Sequence, residues 1–236
     1  MMHDFVDEIT TRGFAVVENV IEGETVSNLL RELTNTRIDR GDSQRAGKAF
    51  GIRNLLNVVP FTRDLANSVA CRALVEPVLG STARVVRGIY FDKHPDANWK
   101  VAWHQDLTIA VQQRVDIDGY GPWSIKAGIH HVQPPVAILE NMLTVRLHLD
   151  DTDEANGALR VVPGSQQYGR LNPEQIQFCK QQQSPFTCVV KSGGALVMRP
   201  LLLHSSLAAV NPKHRRVLHF EYAATDLPSE LCWFEA

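Results

Sequence analysis

The sequence predicts a mainly β protein with flanking helices, folded as a double-stranded β-helix (a jelly roll, or cupin-like barrel), on three observations. Beyond Gly80 about eight short β-rich runs follow one another within roughly 140 residues. Turn signals separate several of them: Asn156-Gly157, Pro163-Gly164, Gly193-Gly194 and Asn211-Pro212. Helical spacing is read only ahead of Gly80, so the helices are expected to cover one outer face of the barrel.

In chain order, "GFAVVENV" (Gly13–Val20) is β-branched and strand-like, and Val26, Leu29, Leu30 and Leu33 then recur at helical spacing. Polar, glycine-containing residues from Arg37 to Asn54 read as a loop. A second helix is expected over Phe61–Val78, stopped by Gly80. The β-rich runs follow: Ala83–Phe91, Val101–Ala110, Met142–Asp150, Ala158–Ser165, Phe186–Val190, Gly194–Met198, Leu201–Val210 and Arg215–Ala223. Between the second and third, the stretch Gln112–Glu140 breaks the rhythm with glycines and prolines. A loop this long inside a compact domain is often functional. We read an insertion at about 110–138 as a lid or substrate wall, in which Tyr120, Trp123 and Lys126 are candidate substrate contacts. The whole chain, 1–236, is expected to be a single domain: 1–80 supplies the N-terminal strand and helices, and 81–236 the jelly-roll core.

Composition narrows the function. A net charge of −2 with no long basic block argues against a nucleic-acid or anionic-membrane surface. No apolar run approaches the ~20 residues that span a bilayer. The N-terminus lacks an apolar signal core, and Cys71, Cys179, Cys188 and Cys232 form no close pair. A cytoplasmic protein acting on a small molecule is expected; its oligomeric state stays open.

The chemistry is concentrated in "VAWHQDLTIA". Strand side chains alternate, so His104 and Asp106 share a face while Gln105 points the other way. His204, at the end of an apolar run, is the best candidate for a second imidazole. Two histidines and one carboxylate leave open positions on a metal, as in non-heme Fe(II) oxygenases, although zinc binds the same donors. Arg215 returns on a neighbouring strand after Asn211-Pro212 and can face the same cavity. Its planar fork suits a carboxylate, and Ser206 shares the His204 face. On the strand from Met142, Leu143, Val145, Leu147 and Leu149 form an apolar face. Thr144, Arg146 and His148 form a polar one, read as lining the lumen, with Thr144 a candidate cosubstrate contact and Arg146 a candidate substrate contact.

"WHQD" from Trp103, "NGALRVVPGSQ" from Asn156 and "HSSLAAVNPKHR" from His204 together resemble the phytanoyl-CoA dioxygenase family, as does the N-terminal strand and helix. The resemblance implies an Fe(II)- and 2-oxoglutarate-dependent oxygenase on a double-stranded β-helix. His104, Asp106 and His204 match the iron ligands, and Arg215 and Ser206 match the pair on the distal carboxylate of 2-oxoglutarate. It also implies consumption of O2 with release of succinate and CO2. Asp106 favours hydroxylation over halogenation, since related halogenases carry a small residue there. Gln166 departs from the histidine that often follows the family's PGS turn. Two other readings share the fold: a non-oxidative cupin-like metal enzyme, and a non-catalytic metal- or ligand-binding protein.

Overall fold

Turn chemistry and side-chain periodicity account for most element boundaries in the computed structural model, which describes residues 2–35, 50–228 and 230–236. Helix α1 (Met2–Thr11), not anticipated from the sequence, buries Ile9 and leads into β1 (Phe14–Val17). That strand stops short of Val20 because Asn19 adopts a left-handed backbone, φ 55°. In α2 (Gly23–Asn35) Val26, Leu29 and Leu33 turn inward, as their spacing predicts. Most of the loop expected at Arg37–Asn54 lies outside the described residues, and β2 (Phe50–Ile52) occupies its end. After the short α3 (Leu55–Val58), the single helix expected over Phe61–Val78 is two, α4 (Phe61–Ala66) and α5 (Val69–Leu79). Ser68 makes the break: its hydroxyl accepts from the Cys71 amide at 3.4 Å and caps α5.

The core strands begin with β3 (Arg84–Lys93), β4 (Val101–His104) and β5 (Ile109–Val111), so the run Val101–Ala110 is two strands rather than one. The insertion is not an open loop. It holds a hairpin, β6 (Trp123–Lys126) and β7 (Ile129–Val132), closed by Ala127 and Gly128 with φ of 52° and 75°. The hairpin pairs with β5 in a small sheet, and α6 (Val136–Glu140) leads back to the barrel. Then come β8 (Met142–His148), β9 (Leu159–Val161), α7 (Pro173–Gln182), β10 (Phe186–Cys188), β11 (Ala195–Met198), β12 (His204–Ser206) and β13 (Arg215–Ala223).

Two antiparallel sheets make the barrel. One runs β1-β11-β8-β13-β3-β2, the other β10-β9-β12-β4. Alternation along the larger sheet separates two environments. Leu143, Val145 and Leu147 of β8 join Leu218, Phe220 and Tyr222 of β13 against the helices, forming the main core. The inner face packs at one end on the second sheet, where Phe14, Leu196 and Met198 meet Leu159, Val161 and Cys188. Toward β8, β13 and β3 the same inner face becomes polar, and there the barrel opens into a cavity. No described helix is long and apolar enough to cross a membrane.

The C-terminal tail is tied to this frame by Glu235. Its carboxylate, 1% exposed, accepts the Leu56 and Gly88 amides at 2.8 Å each. Burial pushes the carboxyl up to about 7, against those two donors. Glu235→Ala leaves two buried amides without an acceptor and is expected to cost about 2–4 kcal/mol, read as a lower denaturation midpoint. An unchanged midpoint would show the latch to be energetically idle.

Candidate active site

β4 and β12 pair with His104 directly opposite His204, which brings the two imidazoles to 4.2 Å between ring centres. Each ring has its Nδ1 2.8 Å from a backbone carbonyl, Ala102 for His104 and Leu202 for His204. Nδ1 therefore carries the proton, and both Nε2 lone pairs face the same point. Asp106 completes the group: its carboxylate oxygens lie 3.7 Å from His104 Nε2 and 3.6 Å from His204 Nε2. Those gaps are too long for hydrogen bonds and leave room for an ion between the donors. Among the described residues this is the one cluster of three such groups able to hold a metal.

Asp106 reaches this position after the strand has ended. The Gln105 side chain donates to the Leu201 and Gly169 carbonyls at 2.6 and 2.8 Å and accepts the Leu171 amide at 2.8 Å. Gln105 borders the cavity, but its side chain is spent on these backbone groups, and its anchoring draws the chain out of β4. The Asp106 amide then donates to Pro200 O at 3.0 Å. Burial alone would raise the Asp106 carboxyl, but His204, His219, His104 and Arg146 outweigh it and hold it at about 2. Burial pushes His204 down to about 4 against the pull of Asp106. Near pH 7 the site therefore offers one carboxylate and a neutral His204 imidazole, the protonation states metal binding requires.

The triad faces a cavity of about 500 Å³, an ordinary size for a small-molecule site. Arg215, 5% exposed, stands at one end and donates from Nη1 to Gly157 O at 2.5 Å. The Asn156-Gly157 turn lies too close to the chain for a larger residue, since a Cβ on Gly157 would sit 2.8 Å from Leu207 O. Ser206 shares this end, and so does Lys93, which the sequence reading missed. Lys93 is the register partner of Arg215 on β3, is 3% exposed and donates to Ser206 Oγ at 2.9 Å. Burial, with Arg215 and Arg146 adding to it, pushes its ammonium down to about 7, while burial pushes Arg215 down to about 9. Among the described residues the carboxylates lining the cavity are Asp106 and Glu221, and the register sets Glu221 six residues along β13 from Arg215. Buried cations in this arrangement fit an incoming carboxylate.

Of the other candidates, Arg146 and Lys126 line the cavity. Thr144 faces inward but pairs with Glu221, at the far end of the strand from Arg215, and is not among the lining residues. The register thus sets Thr144 away from the Arg215 end. Tyr120 and Trp123 pack against an apolar cluster with Leu139, Met142 and Trp233 and are not among the residues lining the cavity. His148 is buried, its Nδ1 2.8 Å from Thr152 Oγ1. Gln166 donates to the Thr10 and Thr11 carbonyls, far from this chemistry.

A jelly roll with two imidazoles and a carboxylate at the mouth of a cation-ended cavity defines the class of mononuclear non-heme metal oxygenases. Residues 9–217 match the phytanoyl-CoA dioxygenase (PhyH) family, and the chain belongs to it. It is an Fe(II)- and 2-oxoglutarate-dependent dioxygenase. An ectoine dioxygenase of Bordetella parapertussis is 22% identical over 254 residues, covering 93% of this chain and 74% of that one. Solved structures share the fold. The non-heme α-ketoglutarate-dependent carbocyclase SnoK of nogalamycin biosynthesis superposes with a TM-score of 0.74 at 15% identity, over 99% of this chain and 86% of that one. EctD from S. alaskensis, with 2-oxoglutarate and 5-hydroxyectoine, gives 0.71 at 16%, over 92% and 74%.

Proposed function

We propose that His104, Asp106 and His204 hold the ferrous iron. In the same reading Arg215, Ser206 and Lys93 take the distal carboxylate of 2-oxoglutarate, and a small molecule entering the single-domain barrel is hydroxylated. The observation that carries this is the pairing of a carboxylate-and-imidazole cluster with buried cations across one cavity. Iron bound at the triad supplies the O2 chemistry that couples decarboxylation of 2-oxoglutarate to oxidation of the substrate. The chain's own work is ligation, orientation and exclusion of water. Ala102 O and Leu202 O fix the imidazole tautomers. Arg215 and Lys93 set the direction in which the diacid lies, and Asp106 occupies the ligand position that a halide would need. The four cysteines, all free thiols and three of them buried, support a reducing, cytoplasmic setting.

Lys93 makes the reading testable. Its ordinary value of 10.5 falls to about 7 in the fold, so between those limits the unfolded chain holds the extra proton. Stability without cosubstrate therefore rises with pH from about 7 toward 10.5. A bound diacid restores the charge, so 2-oxoglutarate binding above pH 7 takes up a proton and weakens as pH rises. Calorimetry in buffers of different ionisation heat is expected to register that uptake. Lys93→Met is expected to abolish it, flatten the stability slope and weaken 2-oxoglutarate about tenfold. Wild-type binding without proton uptake, or unaltered in the variant, would place the diacid elsewhere.

A further inference from the structure

We infer that the substrate carries an oxyanion, a carboxylate or a phosphate, which Arg87 and Lys126 receive at the end of the cavity remote from Arg215. The inference rests on the function proposed above and names the substrate class of that site. Register fixes the layout. Arg215 lies opposite Lys93, His219 lies opposite Arg146, and Glu221 lies opposite Arg87. Six residues of β13 separate the first rung from the last, roughly 20 Å. Asp106 feels His219 and Arg146, which puts the metal-binding cluster against the middle rung. A five-carbon diacid clamped at Arg215 and chelated at the triad does not reach Arg87. The far end is left for the substrate.

That end is too basic for a neutral ligand. Among the described residues, and leaving Arg53 aside, five cationic side chains line the cavity against two carboxylates, in a chain whose net charge is −2. The charges of Fe(II) and 2-oxoglutarate cancel, so the excess survives loading. Asp106 is committed to the triad. Glu221 is shared between Arg87 Nη1 at 3.1 Å and His219 Nε2 at 3.4 Å. One shared carboxylate does not satisfy the cations around it: the Nε atoms of Arg87 and Arg146 are buried without a hydrogen-bond partner. Lys126 stands at the exposed rim, its Nζ 3.4 Å from Thr108 Oγ1. Burial and the positive charge of Arg87 and Arg53 push its ammonium down. An arriving oxyanion relieves that repulsion and gives the Arg87 fork a second acceptor beside Glu221, while Thr108 and Gln133 on the same walls supply neutral hydrogen bonds.

The test uses full-length protein loaded with Ni(II), which blocks turnover, and saturating 2-oxoglutarate, with loading confirmed by calorimetry. Inorganic phosphate, acetate and, as the neutral counterpart of acetate, acetamide are then titrated in. One equivalent of phosphate or acetate is expected to bind, with acetamide silent. The double variant Arg87→Gln/Lys126→Gln is expected to weaken the anion at least about tenfold. Should the double variant fail to fold, Lys126→Gln, at the exposed rim, carries the test with a loss of several-fold. Loaded protein that ignores both anions, binds acetamide equally well, or keeps full affinity in the variants overturns the inference alone. Protein that takes up neither Ni(II) nor 2-oxoglutarate overturns the oxygenase site and this inference with it.

Discussion

Arg215→Met is expected to weaken 2-oxoglutarate binding on the order of 100- to 1000-fold while leaving the cosubstrate-free protein as stable as before, or more so. The opposite signs come from one cause. Arg215 is buried, its one hydrogen-bond partner is the Gly157 carbonyl, and its Nε has none. Without cosubstrate it is a desolvated cation with no acid among the described residues within ion-pair distance, and burial already pushes it down to about 9. Replacing such a charge with an apolar side chain of similar length is commonly neutral or stabilising. Once the diacid is present, the same change leaves a carboxylate without its fork, a loss of about 2–5 kcal/mol. A thermal melt with and without 2-oxoglutarate reads both effects. If the variant melts lower without cosubstrate yet keeps the full 2-oxoglutarate shift, Arg215 is a structural residue and the diacid lies elsewhere.

Asp106→Ala is expected to weaken metal binding more than about 100-fold, since even partners outside the ligand set cost 10- to 100-fold. The two imidazoles remain, their Nδ1 protons held by Ala102 O and Leu202 O, so residual weak binding through His104 and His204 should persist. Succinate formation should fall with the metal. Because Asp106 lies outside the strand and donates only its amide to Pro200 O, the fold should survive. Equilibrium dialysis against Fe(II) or Ni(II), with a melt as control, separates loss of ligand from loss of structure. Metal affinity equal to wild type would remove Asp106 from the ligand set.

Much of this site was legible in the sequence, and the parts that were not have physical reasons. Period-two alternation assigned the inner faces correctly, so Arg146 and Thr144 both point inward. Alternation says nothing about position along a strand, however, and only the pairing of β8 with β13 sets Thr144 at the end away from Arg215. Lys93 escaped notice for the same reason. It meets Arg215 through a register between residues more than a hundred positions apart, as does the Arg87–Glu221 pair. The hairpin inside the insertion was hidden by Ala127, which occupies a left-handed turn position where asparagine or glycine would have announced it. Trp123 and Tyr120 looked like substrate contacts by residue type, but aromatic side chains anchor an insertion as readily as they line a cavity. Ser68, by contrast, was a visible helix start within a run read as one helix.

The central claim is that the cluster and the cations act on one ligand pair. Its most direct test is anaerobic addition of 2-oxoglutarate to protein loaded with Fe(II), followed by visible absorption. A weak charge-transfer band is expected that saturates at one equivalent of the diacid, needs far more diacid in Arg215→Met, and falls in Asp106→Ala in step with the lost metal. Wild-type protein that binds both components yet develops no band would mean that iron and 2-oxoglutarate do not meet, and would contradict it.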